Sequence, residues 1–181
     1  LLSGSLRYDG FSNFAPENKF AYFPGLSAGW NVDRENWWNS RYISALKLRA
    51  SWGATGLQTL SITDTYGNYS PATYAQNAGI LRGNLSNPNL KWESTYTTDL
   101  AVDISFLNNR INLTVDYYNK VTKDRLTTKP LPSEAPFSSI VYNNGELRNR
   151  GLEVELGAKI IRSKTVNWTT NVSFAINRMV I

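Results

Sequence analysis

Alternation with a period of two runs through this chain and leaves few folds open to it. From Asp99 to Phe106, the residues Asp99, Ala101, Asp103 and Ser105 fall on one side, and Leu100, Val102, Ile104 and Phe106 on the other. After a short turn, Ile111, Leu113, Val115 and Tyr117 oppose Asn112, Thr114, Asp116 and Tyr118. Leu152, Val154, Leu156, Ala158 and Ile160 oppose Glu153, Glu155, Gly157 and Lys159. Val166, Trp168, Thr170, Val172, Phe174 and Ile176 oppose Asn167, Thr169, Asn171, Ser173 and Ala175. Successive side chains of a β-strand point to opposite faces, so each stretch predicts a strand with one apolar face. Several of these patterns extend beyond the usual ~5–6 residues of a globular strand toward the ~9–11 of a membrane-spanning one.

Shorter patterns complete the set. Leu2, Gly4, Leu6 and Tyr8 alternate with small or charged residues up to the Asp9-Gly10 turn signal. A polar loop then leads to a second strand at residues 20–31, within which Pro24 removes a ladder donor. Residues 32–45 read as a connection, with residues 33–38 forming one helical turn. A third strand spans residues 46–53. Residues 54–90 and 126–144 read as long loops, the first rich in Gly, Asn, Thr, Ser and Tyr and without the means to build a core. Loops of that length are usually functional or partly disordered. Tight turns at 107–110 and 162–165 join the remaining strands, giving about seven antiparallel strands and no helix beyond a turn or two.

Charge sorts cleanly across these strands. The apolar faces carry no Asp, Glu, Lys or Arg, whereas the opposite faces carry Arg7, Lys47, Arg49, Asp99, Asp103, Asp116, Glu153, Glu155 and Lys159. An Arg or Lys facing lipid at the bilayer midplane costs ~2–4 kcal/mol, so a barrel wall demands such sorting. A β-sandwich also keeps charge off its inner face and is the soluble alternative. Aromatic residues make up 13% of the chain, which suits the interfacial girdles of a barrel as well as a sugar-binding sandwich.

The chain has no Cys and no His. Disulfides and thiolate metal sites are thereby excluded, and the usual general base near neutral pH is missing. Catalytic, metal and cofactor sites are therefore not expected. Net charge is +5, but the basic residues are scattered, which argues against nucleic-acid binding. The carboxylates at two-residue spacing, Glu153 with Glu155, stand roughly 7 Å apart on one strand face. They read as ion-pairing groups rather than as a glycosidase pair. The chain begins at Leu1 inside one strand pattern and ends just past another, so it reads as part of a longer protein.

The order of the motifs resembles the SusC/RagA family of TonB-dependent outer-membrane transporters of Bacteroidetes. RYDGFS at 7–12 is similar to the family's R-x-D-G-S-S, and YFPGLSAGW at 22–30 to its YFPSxSAGW. LKLRASWGATG at 46–56, NPNLKWE at 87–93, the hairpin around FLNNRI at 106–111 and NRGLE at 149–153 follow in family order. Leu57 departs from the pattern, which often has Asn there.

The resemblance implies that residues 1–181 are part of an antiparallel transmembrane β-barrel domain. They would form about seven strands of a plugged barrel of about 22, with the plug domain and closing strand absent. It implies active import of a large nutrient, an oligosaccharide or a peptide, across the bacterial outer membrane. The partners would be a SusD-like surface lipoprotein, TonB acting through N-terminal parts, and membrane lipid. A small outer-membrane barrel or adhesin is the second reading, and a soluble carbohydrate-binding sandwich the third. In the family's orientation residues 54–90 and 126–144 face outward, 107–110 and 162–165 are periplasmic turns, and the nine charged residues above face the lumen. Tyr66, Tyr69 and Tyr74 are the candidate loop contacts, able to stack on a sugar, pack a lipoprotein or staple the loop to itself. Trp37 and Trp38 would anchor at the inner membrane interface or pack in the periplasm.

Overall fold

A computed structural model describes residues 1–181, with the side chain of Tyr74 outside the described residues. Seven strands form one antiparallel sheet: β1 (Leu2–Gly10), β2 (Phe20–Asn31), β3 (Ile43–Leu57), β6 (Glu93–Phe106), β7 (Ile111–Lys123), β10 (Leu147–Arg162) and β11 (Asn167–Val180). They lie side by side in chain order, as an up-and-down meander. The sheet is open in this segment, with β1 at one edge and β11 at the other. Most strands reach well beyond the apolar stretches that announce them. β3, for example, starts at Ile43 and ends at Leu57 rather than spanning residues 46–53.

The register carries the alternation across the whole sheet. Ala50 pairs with Leu100, Leu48 with Val102 and Leu46 with Ile104. Val102 pairs with Val115, Val115 with Val154, and Val154 with Phe174. One continuous apolar face results, and none of the described residues covers it: Leu26 is 63% exposed, Phe174 58% and Leu100 50%. The total exposed area is 12939 Å², against about 8,800 Å² expected of a compact monomer of 20.4 kDa. A sandwich would bury this face against a second sheet. No such layer exists among the described residues, which removes the sandwich reading.

Aromatic side chains gather at both ends of the apolar face. Toward the loop end, the Tyr8 ring stacks on Phe20 with centroids 5.1 Å apart and lies 4.6 Å from Tyr22. Trp52 stacks on Tyr96 at 6.5 Å on the same face. Toward the turn end stand Trp30 and Trp168, each about half exposed. Two such belts flanking an apolar band are the signature of a barrel wall at its two water interfaces.

Several expectations need correction. Residues 54–90 are not a featureless loop. They begin with the end of β3 and continue with the short helix α1 (Ile62–Tyr66) and a hairpin of β4 (Tyr69–Tyr74) and β5 (Asn77–Arg82). Residues 126–144 hold a second hairpin, β8 (Leu126–Pro130) with β9 (Ser139–Asn143). The helical turn expected at 33–38 is a 3₁₀ turn at Val32–Arg34. A bulge between Lys159 and Ile161 leaves Ile160 without a partner and sets Ile161 opposite Trp168, so Ile160 drops out of the alternation. Pro24 is accommodated because the β2–β3 pairing begins only at Gly25.

The first long loop also contributes to a core. Leu60 and Leu90 are buried with Phe14, Phe23, Ala54 and Trp92 at the loop end of the sheet, Leu90 being 0% and Phe14 1% exposed. Trp92 centres the cluster, with ring centroids 5.3 Å from Phe14 and 5.6 Å from Phe23. Gly56 makes room for it, since a Cβ there would collide with the Phe23 ring.

Candidate functional site: the charged sheet face and its loop cap

The face opposite the apolar one holds all nine charged residues singled out in the sequence, because each sits at the parity of Arg49 in its own strand. Arg49 on β3 is the hub. Its Nε donates to Asp103 Oδ2 at 2.8 Å and its second guanidinium nitrogen to Asp103 Oδ1 at 3.1 Å, a fork-to-fork pair with the neighbouring strand. The same guanidinium lies 3.9 Å from Asp116 on β7. Thr114 Oγ1 donates to Asp103 at 3.1 Å. Three adjacent strands are thus tied by one arginine.

Lys47 stands opposite Asp103 in the register, Ser51 opposite Asp99, and Glu153 opposite Asp116. Glu155 faces Thr114 and Lys159 faces Thr169. Arg7 sits apart at the loop end. It pairs with Asp9 at 2.8 Å and lies over the Phe23 ring at 5.3 Å. These pairs are partly exposed, so each adds no more than about 1 kcal/mol. Their chemical meaning lies in the surface they make: polar, ion-paired and wettable, back to back with a face that repels water. Asp103 is spent on Arg49, and the arrangement offers no nucleophile with a base beside it.

Asparagine side chains clasp the loops above this face. Asn143 Nδ2 donates to the carbonyls of Lys91 at 2.9 Å and Asp124 at 2.7 Å, while its Oδ1 accepts from the Lys91 N–H at 2.8 Å. Asn87 Nδ2 donates to the Val141 carbonyl at 3.0 Å. Trp92 Nε1 donates to the Asn18 carbonyl at 3.0 Å, and Asn13 Nδ2 to the Leu60 carbonyl at 2.8 Å. The three connections β1–β2, β3–β6 and β7–β10 therefore form one cap. Residues 87–93, singled out as a sequence motif, sit at its centre: Asn87, Leu90, Lys91 and Trp92 each reach another loop. The clasping role of Asn143 has no sequence signal beyond a polar residue beside a turn.

The tyrosines separate. The Tyr66 hydroxyl donates to the Phe14 carbonyl at 3.1 Å, which staples α1 to the β1–β2 loop. Tyr69, at the base of the first hairpin, is 72% exposed. The Tyr74 side chain lies outside the described residues. Trp37 and Trp38 pack edge to face at 6.1 Å at the opposite end of the sheet.

An open meander with an apolar band free of charge on one face, aromatic belts at both ends of that band and an ion-paired reverse is a section of a transmembrane β-barrel wall. Residues 1–178 match the family described as TonB dependent receptor-like, beta-barrel, and the chain belongs to that family. It is 38% identical over 178 residues to TonB-dependent receptor P3 of Formosa agariphila, covering 95% of this chain and 18% of that protein. To TonB-dependent receptor SusC of Bacteroides thetaiotaomicron it is 33% identical over 190 residues, covering 98% of this chain and 19% of that protein. The RagAB peptide importer in its closed-closed state superposes with a TM-score of 0.88 at 26% identity, over 98% of this chain and 20% of that one. The siderophore receptor PirA from Pseudomonas aeruginosa shares the fold, with a TM-score of 0.59 at 16% identity. The chain thus spans about a fifth of the length of the curated relatives it matches.

Proposed function

We propose that residues 1–181 form part of the barrel domain of an outer-membrane importer of large nutrients, oligosaccharides or peptides, in a bacterial cell. The observation that carries this reading is the back-to-back pairing of an exposed apolar band with an ion-paired face, on a chain belonging to the TonB-dependent receptor barrel family. Arg7, Lys47, Arg49, Asp99, Asp103, Asp116, Glu153, Glu155 and Lys159 would line the lumen, and the apolar face would meet lipid. The loop cap would face outward, where a SusD-like lipoprotein and the incoming solute meet it. Tyr69, exposed at the base of the first hairpin, and Tyr74 would be the loop aromatics that take part, the Tyr74 side chain lying outside the described residues, while Tyr66 serves the cap. Energy would arrive through TonB by way of parts beyond this segment. The role is transport, with no catalysis by this sheet. Kinship with SusC and likeness to a peptide importer support the lipoprotein partner and the solute class.

The test is made on the full-length protein in its own outer membrane. Affinity purification should bring down a surface lipoprotein, and deletion of the gene should abolish growth on one polymeric nutrient while sparing growth on its monomer. Normal growth of the deletion strain on oligosaccharide and on peptide, with no lipoprotein recovered, overturns the reading.

A further inference from the structure

The apolar face does not stay uncharged to its end. β7, β10 and β11 extend past the hydrophobic stretches that mark them, and the extensions keep the same parity. Arg150 and Arg148 follow Leu152 outward on β10, Arg178 follows Ile176 on β11, and Lys123 follows Tyr117 on β7. All four are exposed. Arg150 and Arg178 are direct cross-strand partners, and Arg148 lies one step further, opposite Val180. The three arginines share a hollow of about 400 Å³ with Glu146, Val180 and Ile181. Glu146 pairs with Arg148 at 3.5 Å.

Two arginines placed directly opposite one another repel, and Glu146 neutralises only the outer one of the three. Every outward position of these seven strands is otherwise free of Asp and Glu, so none of the seven supplies a counter-charge to Arg150 and Arg178. The height of the cluster is informative. Arg150 stands two residues, roughly 7 Å, beyond Leu152 and its partner Tyr117. That is the step from the edge of an apolar band into the headgroup layer.

We propose that Arg148, Arg150 and Arg178 form a site for the phosphate groups of an anionic lipid in the leaflet that surrounds the loop end of the barrel. Guanidinium groups bind phosphate bidentately, and basic residues at a membrane surface each contribute about fivefold in affinity for anionic lipid. The apolar side chains just below, Leu152 and Ile176, would take the start of the acyl chains. This inference rests on the membrane-spanning reading but is independent of what the protein imports.

The experiment uses the full-length receptor in nanodiscs of phosphatidylcholine doped with lipid A, either diphosphorylated or dephosphorylated. Native mass spectrometry counts retained lipid, and heat-modifiable mobility reports assembly separately. The wild type should retain the diphosphorylated form in preference. The R150Q/R178Q variant should lose about 25-fold in apparent affinity, and R178Q alone about fivefold. R162Q, at the opposite end of β10, should change nothing. Should the double variant fail to assemble, R178Q decides. Equal retention of both lipids by the wild type, or unchanged retention by R178Q, overturns the proposal. So does displacement of the lipid by millimolar inorganic phosphate, which would mark a free-anion site instead. Failure of the wild type to assemble in any bilayer would overturn the membrane-spanning reading itself.

Discussion

The two ends of this molecule solve the problem of burying apolar surface in opposite ways. At the loop end, Phe14, Leu60, Leu90 and Trp92 from two connections and Phe23 from β2 bury one another, with Leu126 and Val141 of a third connection packed against them, as in any water-soluble protein. Across the middle of the sheet, Leu100, Tyr117, Leu152 and Ile176 pair strand to strand in one apolar row, yet they remain exposed. Difference in hydrophobicity does not separate the regions; difference in solvent does. The cap works against water and must carry its own core, whereas the wall leaves its core to the bilayer. A single measure of compactness therefore misjudges the chain, and each region needs its own test.

The most severe test is to remove the bilayer. The segment expressed alone, without detergent, should aggregate, because its two sheet edges and its apolar face are both exposed. A monomer that unfolds cooperatively in water, as judged by sedimentation and denaturant melting, would erase the contrast between wall and cap. Next comes a cavity in the cap. In the full-length protein Trp92→Ala should cost about 3–5 kcal/mol locally. Amide exchange across residues 11–23 and 87–92 should accelerate while barrel assembly persists. Loss of assembly would mean that the cap and wall are one cooperative unit.

A charge in the wall should have a smaller but differently placed effect. Val154→Arg should cost ~2–4 kcal/mol near the midplane, whereas Thr114→Arg on the charged face should be nearly silent in heat-modifiable assembly. Equal damage from both would mean that the faces are assigned in reverse or that neither meets lipid. The smallest effect on stability is expected from excising residues 69–82, the exposed first hairpin. The Gly83 N–H already donates to the Asn68 carbonyl at 2.8 Å, so the cut ends meet with little strain. Assembly should be unchanged and nutrient-dependent growth reduced; unchanged growth would make the hairpin a bystander.

Period-two alternation located all seven wall strands, because a sheet with one lipid face and one wet face repeats every second residue wherever the ladder runs without a bulge. It stopped short where that contrast fades. Arg148 and Arg150 keep the parity of Leu152 but not its polarity, so the strand appeared to end there and the arginine cluster went unseen. The two loop hairpins lack the usual turn signal. Ala75 and Gln76 adopt positive φ, 48° and 65°, where Asn-Gly or Asp-Gly is the common choice. Pro130 and Pro132 likewise disguised β8. The cap core was illegible because Phe14, Leu60, Leu90 and Trp92 are single apolar residues set in polar stretches, united only by long-range packing. The nine charged residues were visible in sequence; the Arg49 fork that organises three strands was not, since it depends on register.

Each wall strand pairs only with those that come just before and after it in the wall. No connection has to cross the sheet, and no strand must wait for a distant partner before it finds its place. Such a sheet can grow by adding one hairpin at a time to a moving edge, with the ordering cost of each step confined to a single loop closure. The Arg49–Asp103 fork then acts as a stitch that locks β6 onto β3 across the 35-residue excursion between them, counted from Leu57 to Glu93. Errors of pairing would be caught there, at the junction where the next wall strand is farthest away along the chain.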